Sequence, residues 1–240
     1  MTTSGKKHTP RCIFVRHGQT EWSKSGQYTS VTDLPLTPFG VKQMRATGKA
    51  LIGTSQTQLL KPADLKLIIS SPRKRALQTK DLLLENIPES ELSHVEVQID
   101  EDIREWEYGK YEGLLTSDIK RLDPAGEDWN IWEHGTTAAG GEDWKQVTAR
   151  IDRLIAKIRA VHKVALERNQ PCDVVVIAHG HILRCFAARW VGYPINTNPK
   201  YMLDAGGVGV LSYQHHNIEE PALYLAGAFV PPDDEVSAGL

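Results

Sequence analysis

Short apolar runs alternate along this chain with longer stretches in which apolar residues recur every three or four positions. Cys12 to Val15, Leu65 to Ile69 and Asp173 to Ala178 are compact and rich in β-branched residues, as buried strands are. Val95 to Ile99 alternates apolar and polar residues and reads as a further strand. Val208 to Tyr213 and Ala222 to Leu225 read as late strands, with a turn at His216-Asn217. Between these runs the period changes. Thr37-Pro38 supplies a cap residue and a proline at the first helical position, and Val41, Met44 and Leu51 follow on one face. Ser71-Pro72 predicts another helix start, with Ala76, Thr79 and Leu83 on one side. The clearest helix runs from about Glu142 to Arg168. Trp144, Val147, Ile151, Leu154, Ile155, Ile158, Val161 and Ala165 form its apolar stripe. A helix is also expected near His181. Strands alternating with helices predict an α/β protein with a mostly parallel sheet, in which ligands bind beyond the carboxyl ends of the strands.

The segment from Asp123 to Gly141 is long and carries Trp129 and Trp132, expected as core residues or as a lid or pocket wall. Residues 1–9 and 231–240 are expected to be loose ends around one domain spanning 10–230. The chain has 240 residues, 40% hydrophobic and 24% charged, with a formal net charge of -2, so it offers no global basic field for nucleic acid. Val174 to Ala178 is far too short to cross a bilayer, and the stretch "MTTSGKKHTP" has no apolar signal core. The three cysteines, Cys12, Cys172 and Cys185, sit in or beside apolar elements and contain no CxxC pair. Reduced, buried thiols in a cytoplasmic protein are expected, with the nucleus left open as a second location.

The candidate chemistry lies where the strands end. The first closes on Arg16-His17-Gly18. "SSPRKRALQT" follows the second and carries Arg73 and Arg75. "AHGHILR" follows the later one and carries His179, His181 and Arg184. If these ends are neighbours, two histidines and two or three cations converge beside helix N-termini. That combination suits a dianion, most simply phosphate. A neutral imidazole can attack phosphorus, and arginines can hold the equatorial oxygens. "DIREWEYGKYEG" offers Glu105, Glu107 and Glu112 to protonate a leaving oxygen.

"VRHGQT", "SPRKRALQT", "REWEYG" and "AHGH" together resemble the motifs of the histidine phosphatase superfamily, which includes the cofactor-dependent phosphoglycerate mutases. The four blocks occur in family order across about residues 11 to 190. The resemblance implies a three-layer α/β/α sandwich of the phosphoglycerate mutase-like kind. It carries the roles of nucleophile and general acid onto His17 and Glu105, and the phosphate pocket onto Arg16, Arg75 and His179. A narrower resemblance, through "RHGQTEWSKSGQYT", "REWEYGKYEG", "WNIW", "AHGHILR" and "LDAGGVGVLSYQHHNIEEPAL", is to the fungal sedoheptulose-1,7-bisphosphatases. It implies cleavage of the 1-phosphate of a sugar bisphosphate without metal or cofactor, with Tyr28, Ser71, Tyr108, Arg184 and His215 contacting substrate. Ser23 departs from the superfamily, where asparagine is usual, and a hydroxyl is shorter than an amide.

Plainer readings stand beside these. Arg73 and Lys74 read as a solvated face, Glu107 as a structural contact and Glu112 as a surface charge. Tyr28 and Tyr108 suit simple packing, and His215-His216 suits a hairpin turn. His179-Gly180-His181 lacks the companions of a metal site. The other functions in view are a fructose bisphosphatase, a phosphoglycerate mutase and a phospho-ligand binding module. Leu115-Thr116 stands where mutases carry Asn-Lys, which argues against the mutase. The expected partner is a small phosphorylated sugar, with neither nucleic acid nor membrane. A homo-oligomer is left open.

Overall fold

The computed structural model describes residues 7–225. In chain order its elements are β1 (Arg11–Arg16), α1 (Glu21–Ser25), α2 (Pro38–Leu51), β2 (Leu65–Ser70), α3 (Lys74–Leu84), α4 (Glu89–Leu92), β3 (Glu96–Ile99), α5 (Thr116–Leu122), α6 (Ile131–His134), α7 (Trp144–Glu167), β4 (Asp173–Ala178), α8 (Gly180–Trp190), β5 (Val208–Tyr213) and β6 (Pro221–Tyr224). Among the described residues the strands form one sheet in the order β3-β2-β4-β1-β5-β6. β3, β2, β4 and β1 are parallel, and β5 is antiparallel to both β1 and β6.

Each face of the sheet is covered by helices. Ile13, Val15, Ile68, Val175 and Ile177 pack under α2 and α3 through Met44, Leu51, Ala76 and Leu83. Cys12, Phe14, Ile69, Val174 and Val176 pack under α7 and α8 through Ile151, Leu154, Ile158, Leu183 and Phe186. β4 is buried at every position, because it is central and covered on both sides. The α7 stripe forms as its period requires. Asp143 caps the helix by accepting from the Gln146 N–H, and Gln146 reaches back to the Asp143 N–H.

Strand register positions the site. Arg16 lies beside Ala178, and Ser70 beside Ile177. β1, β4 and β2 therefore end level, and His17, His179 and Ser71 emerge side by side. The ladder continues one step, with the His17 N–H donating to the Ala178 carbonyl and the Ser71 N–H to the Ile177 carbonyl, both at 2.9 Å. This corrects the expected helix start at Ser71-Pro72. Sheet bonding holds Ser71, Arg73 is the extended cap, and α3 begins at Lys74.

The same register corrects a second expectation. Because β5 runs antiparallel to β1, Val208 pairs with Val15 and Leu211 with Cys12. The turn after Tyr213 thus lies beyond Arg11, at the opposite end of the sheet from His17. His215 sits there, exposed, with Nδ1 2.6 Å from Glu220 Oε2, and His216 bonds Thr9. At about 3.3 Å per residue, the length of β1 alone keeps His215 more than about 16 Å from the site. The segment 123–141 is also more ordered than a loop. It contains helical turns at Gly126–Asp128, Ile131–His134 and Thr137–Ala139, with Trp129 and Trp132 buried. Of the expected loose ends, residues 1–6 and 231–240 lie outside the described residues, while Thr9 bonds His216.

Candidate active site

The chain can turn sharply after β1 because Gly18 has no side chain. A Cβ there would stand 2.7 Å from Met44 Cγ and 2.9 Å from the Gly40 carbonyl oxygen, so α2 packs directly on the turn. His17 is buried just before it. Its Nδ1 lies 2.8 Å from the Gly18 carbonyl oxygen. A carbonyl only accepts, so Nδ1 carries the proton and Nε2 keeps its lone pair. Burial pushes the His17 pKa well down, and the Arg75 and Arg16 guanidiniums push the same way. The result is a neutral imidazole with a free nitrogen.

The His179 ring centroid is 5.1 Å from that of His17. Arg75 Nε donates to His179 Nδ1 at 3.1 Å, which leaves the neutral ring's proton on Nε2, 2.7 Å from Ser71 Oγ. Burial, then Arg75 and His17, hold the His179 pKa well below its usual range. Arg75 itself is fully buried and, among the described residues, ion-paired to nothing. Its other donors reach the carbonyls of Thr29, Ser30 and Thr32 at 3.0–3.1 Å. Arg16 Nη1 donates to the Leu203 carbonyl at 2.6 Å, while its Nε is buried without a partner among the described residues. Gly180 leaves room for it, since a Cβ there would lie 3.2 Å from Arg16 Cζ.

Glu105 reaches the same space from the segment after β3. Its carboxylate accepts the N–H groups of Trp106 at 2.9 Å, Ile182 at 2.8 Å and His181 at 3.1 Å, seating it on the N-terminus of α8. Beyond it stands an aromatic wall. Tyr28 packs on Tyr108 at 4.8 Å, His181 at 5.3 Å and Trp129 at 6.0 Å, and the Tyr108 hydroxyl lies 2.7 Å from His181 Nδ1. Burial, then Glu105 and Tyr28, raise the Tyr108 pKa well above its usual value. Arg184 lies across this wall, its Cζ 4.9 Å from the Trp132 ring and its Nε donating to the Gly180 carbonyl.

The structure thus gathers His17, His179, Arg16, Arg75, Glu105, Ser71, Tyr28, Tyr108 and Arg184, and leaves His215 out. Ser23 Oγ is taken up by α1, accepting from the Thr20 N–H and donating to the Thr20 carbonyl. Two residues that position the site were not expected in that role. Glu112, read as a surface charge, accepts from the Ser30 and Thr32 N–H groups and the Ser30 hydroxyl, shaping the loop whose carbonyls hold Arg75. Arg150 is buried on the apolar stripe of α7. It pairs with Glu142 and donates to the carbonyls of Asp102, Arg104 and Glu105, fixing the backbone that carries the Glu105 side chain. A guanidinium spaced three residues from Val147 and four from Leu154, on the apolar stripe, was the available signal. Among the described residues no three His, Cys, Asp or Glu side chains form a metal-binding group, and no helix is long and apolar enough to cross a membrane. Chemically the arrangement offers a neutral nucleophile, a cationic seat for a tetrahedral dianion and one carboxyl group to handle a proton.

Residues 12–223 match the model of the histidine phosphatase superfamily (branch 1). The chain is 45% identical to the sedoheptulose 1,7-bisphosphatase of Saccharomyces cerevisiae, covering 95% of this chain and 97% of that protein. It is 32% identical to an acid phosphatase of Mycobacterium tuberculosis, covering 90% and 93%. Among solved structures, the product of an open reading frame from Mycobacterium tuberculosis superposes with a TM-score of 0.68 at 29% identity, over 92% of this chain and 98% of that one. A phosphoglycerate mutase from Bacillus anthracis shares the fold with a TM-score of 0.65 at 19% identity, over 91% and 92%.

Proposed function

The chain belongs to the histidine phosphatase superfamily, and from that premise we propose that it is a sugar bisphosphatase. It removes the 1-phosphate of sedoheptulose 1,7-bisphosphate and so feeds ribose 5-phosphate synthesis. The observation that carries the substrate is the full-length similarity to the yeast sedoheptulose 1,7-bisphosphatase. The chemistry rests on the geometry around His17. In this reading Nε2 of His17 attacks phosphorus in line and forms a phosphohistidine, while Arg16, Arg75 and His179 bear the charge of the transferring group. Glu105 gives a proton to the leaving sugar oxygen, then takes one from the water that hydrolyses the intermediate. Tyr28 and Tyr108 flank the sugar, Ser71 supports the phosphate end, and Arg184 takes the distant phosphate. His215 has no part in this reading. The cations supply the charge that Mg²⁺ supplies elsewhere, so the reaction needs no metal. The same reading places the enzyme in the cytoplasm, consistent with three buried free thiols.

The test is phosphate release from a panel of phosphorylated metabolites, run with and without excess chelator. Sedoheptulose 1,7-bisphosphate is expected to give the highest kcat/KM, unchanged by the chelator. A preference for a six-carbon bisphosphate or for phosphoglycerate would overturn the substrate. Loss on chelation with recovery on adding Mg²⁺ would overturn the metal-free reaction.

A further inference from the structure

The cations of this site are held in different ways. Arg75 spends its donors on three carbonyls and His179, Arg16 Nη1 on the Leu203 carbonyl, and Arg184 Nε on the Gly180 carbonyl. Arg73 is different. It is the extended cap residue of α3 and half-buried, so it is not the solvated face that its sequence neighbourhood suggested. Its Nε is buried with no hydrogen-bond partner, and no carboxylate pairs with it among the described residues. A charged donor withdrawn from water without an acceptor is destabilising, so some acceptor absent from the free protein is its natural partner.

The position of Arg73 identifies that acceptor. Its backbone N–H points to Ser71 Oγ at 3.5 Å, and Ser71 Oγ lies 2.7 Å from Nε2 of His179. The Arg73 backbone therefore stands one hydroxyl away from His179, on the β2 side. Arg184 lies across the aromatic wall, on α8. The positive charge of Arg73 is felt at both His179 and Arg75. Arg73 follows β2 and Arg184 lies on α8, so two cations carried by different elements can divide the anionic groups of a bisphosphate between them.

We propose that Arg73 is a phosphoryl-binding residue, whose guanidinium contacts the oxygens of the phosphate seated between His17 and His179. This rests on the reading of the pocket as a phosphatase site. It also explains why an unpaired guanidinium persists here. Left empty, the seat is strained by like charge from Arg75 and by a buried, unbonded Nε. Filled by a dianion, it gains a charge-assisted hydrogen bond and loses the repulsion.

The test uses Arg73→Gln and Arg73→Lys in the full chain. Four quantities are measured: the Kd of inorganic phosphate by calorimetry, kcat/KM for an aryl monophosphate, kcat/KM for sedoheptulose 1,7-bisphosphate, and the thermal midpoint without ligand. Arg73→Gln is expected to weaken phosphate binding about ten- to a hundredfold and to lower both kcat/KM values by a similar factor. Its unliganded midpoint is expected to stay level or rise, because an unpaired buried charge is gone, and Arg73→Lys is expected to recover part of the affinity. Unchanged phosphate affinity in Arg73→Gln would overturn the proposal. So would a loss confined to the bisphosphate, which would assign Arg73 to the distant phosphate. A lowered midpoint with uniform loss would reduce it to a structural residue and overturn the proposal equally. If the wild-type protein neither binds phosphate nor releases it, the phosphatase reading itself fails, and the wild-type measurements show this without reference to Arg73.

Discussion

The two ends of the sheet use the same residue types and treat charge in opposite ways. At the amino end of β1, Arg11 forks onto Asp173 at 2.8 and 2.6 Å and gives a further donor to the Leu59 carbonyl at 2.9 Å. At the carboxyl end, Arg16 and Arg75 reach only carbonyls and a ring, and neither forms an ion pair among the described residues. Glu105 is close, but its carboxylate is occupied by three backbone N–H groups. A bidentate arginine–carboxylate pair leaves no charge to offer a ligand. A guanidinium held by carbonyl dipoles keeps its full charge for whatever enters. The excess of cations over carboxylates, more than the presence of arginine, distinguishes the end proposed to act on substrate from the end that holds the fold.

The largest effect expected at the active end is from His17→Ala. With the proposed nucleophile gone, turnover of a sugar bisphosphate is expected to fall by at least about a thousandfold, and the acid-labile phosphate expected on the wild-type protein should be absent. Near-normal turnover would remove the distinction between the two ends. A smaller effect tests how far the cationic excess extends along α8. Arg184→Ala is expected to lower kcat/KM for sedoheptulose 1,7-bisphosphate about ten- to a hundredfold and to leave an aryl monophosphate nearly unchanged. Equal losses on both substrates in a folded protein would move Arg184 to the catalytic phosphate.

Much of this contrast was legible in the sequence, and the missing parts share a cause. The strand Asp173–Ala178 and the Thr37 cap of α2 follow from local patterns, as do the polar residues waiting at the ends of β1, β2 and β4. His215 was misplaced because motif order along a chain does not say at which end of a sheet a residue lies. One antiparallel strand, β5, reverses the direction and carries it away. Ser71-Pro72 looked like a helix start because the sheet bond that holds Ser71 comes from Ile177, more than a hundred residues later. Glu112 and Arg150 act on the backbone groups of distant loops, and backbone donors and acceptors leave no mark in a sequence.

The smallest expected effect sharpens the comparison from the other end. His162 is fully buried on α7, its Nδ1 2.9 Å from the Tyr213 hydroxyl and its ring packed edge-on to Trp190 and Tyr213. Burial pushes its pKa down to about 3. The folded protein therefore keeps His162 neutral below pH 6.5, while the unfolded chain takes up a proton there. The unfolded state binds more protons, so the stability owed to this residue is complete above about pH 6.5 and is lost as pH falls toward 3. Between pH 7 and pH 5.5 the loss assigned to His162 is about 1 kcal/mol. His162→Gln keeps an acceptor for Tyr213 and removes the titration. Its unfolding free energy, measured with denaturant at both pH values, is expected to fall by about 1 kcal/mol less than the wild type over that interval. Part of the remaining acid sensitivity belongs to His17, His179 and His181, which burial also holds neutral. Bound phosphate should reduce only that part, because a dianion favours protonated imidazoles beside it and has no such effect at the far end of the sheet. An unchanged pH dependence in His162→Gln would mean that this end of the sheet does not contribute to acid sensitivity.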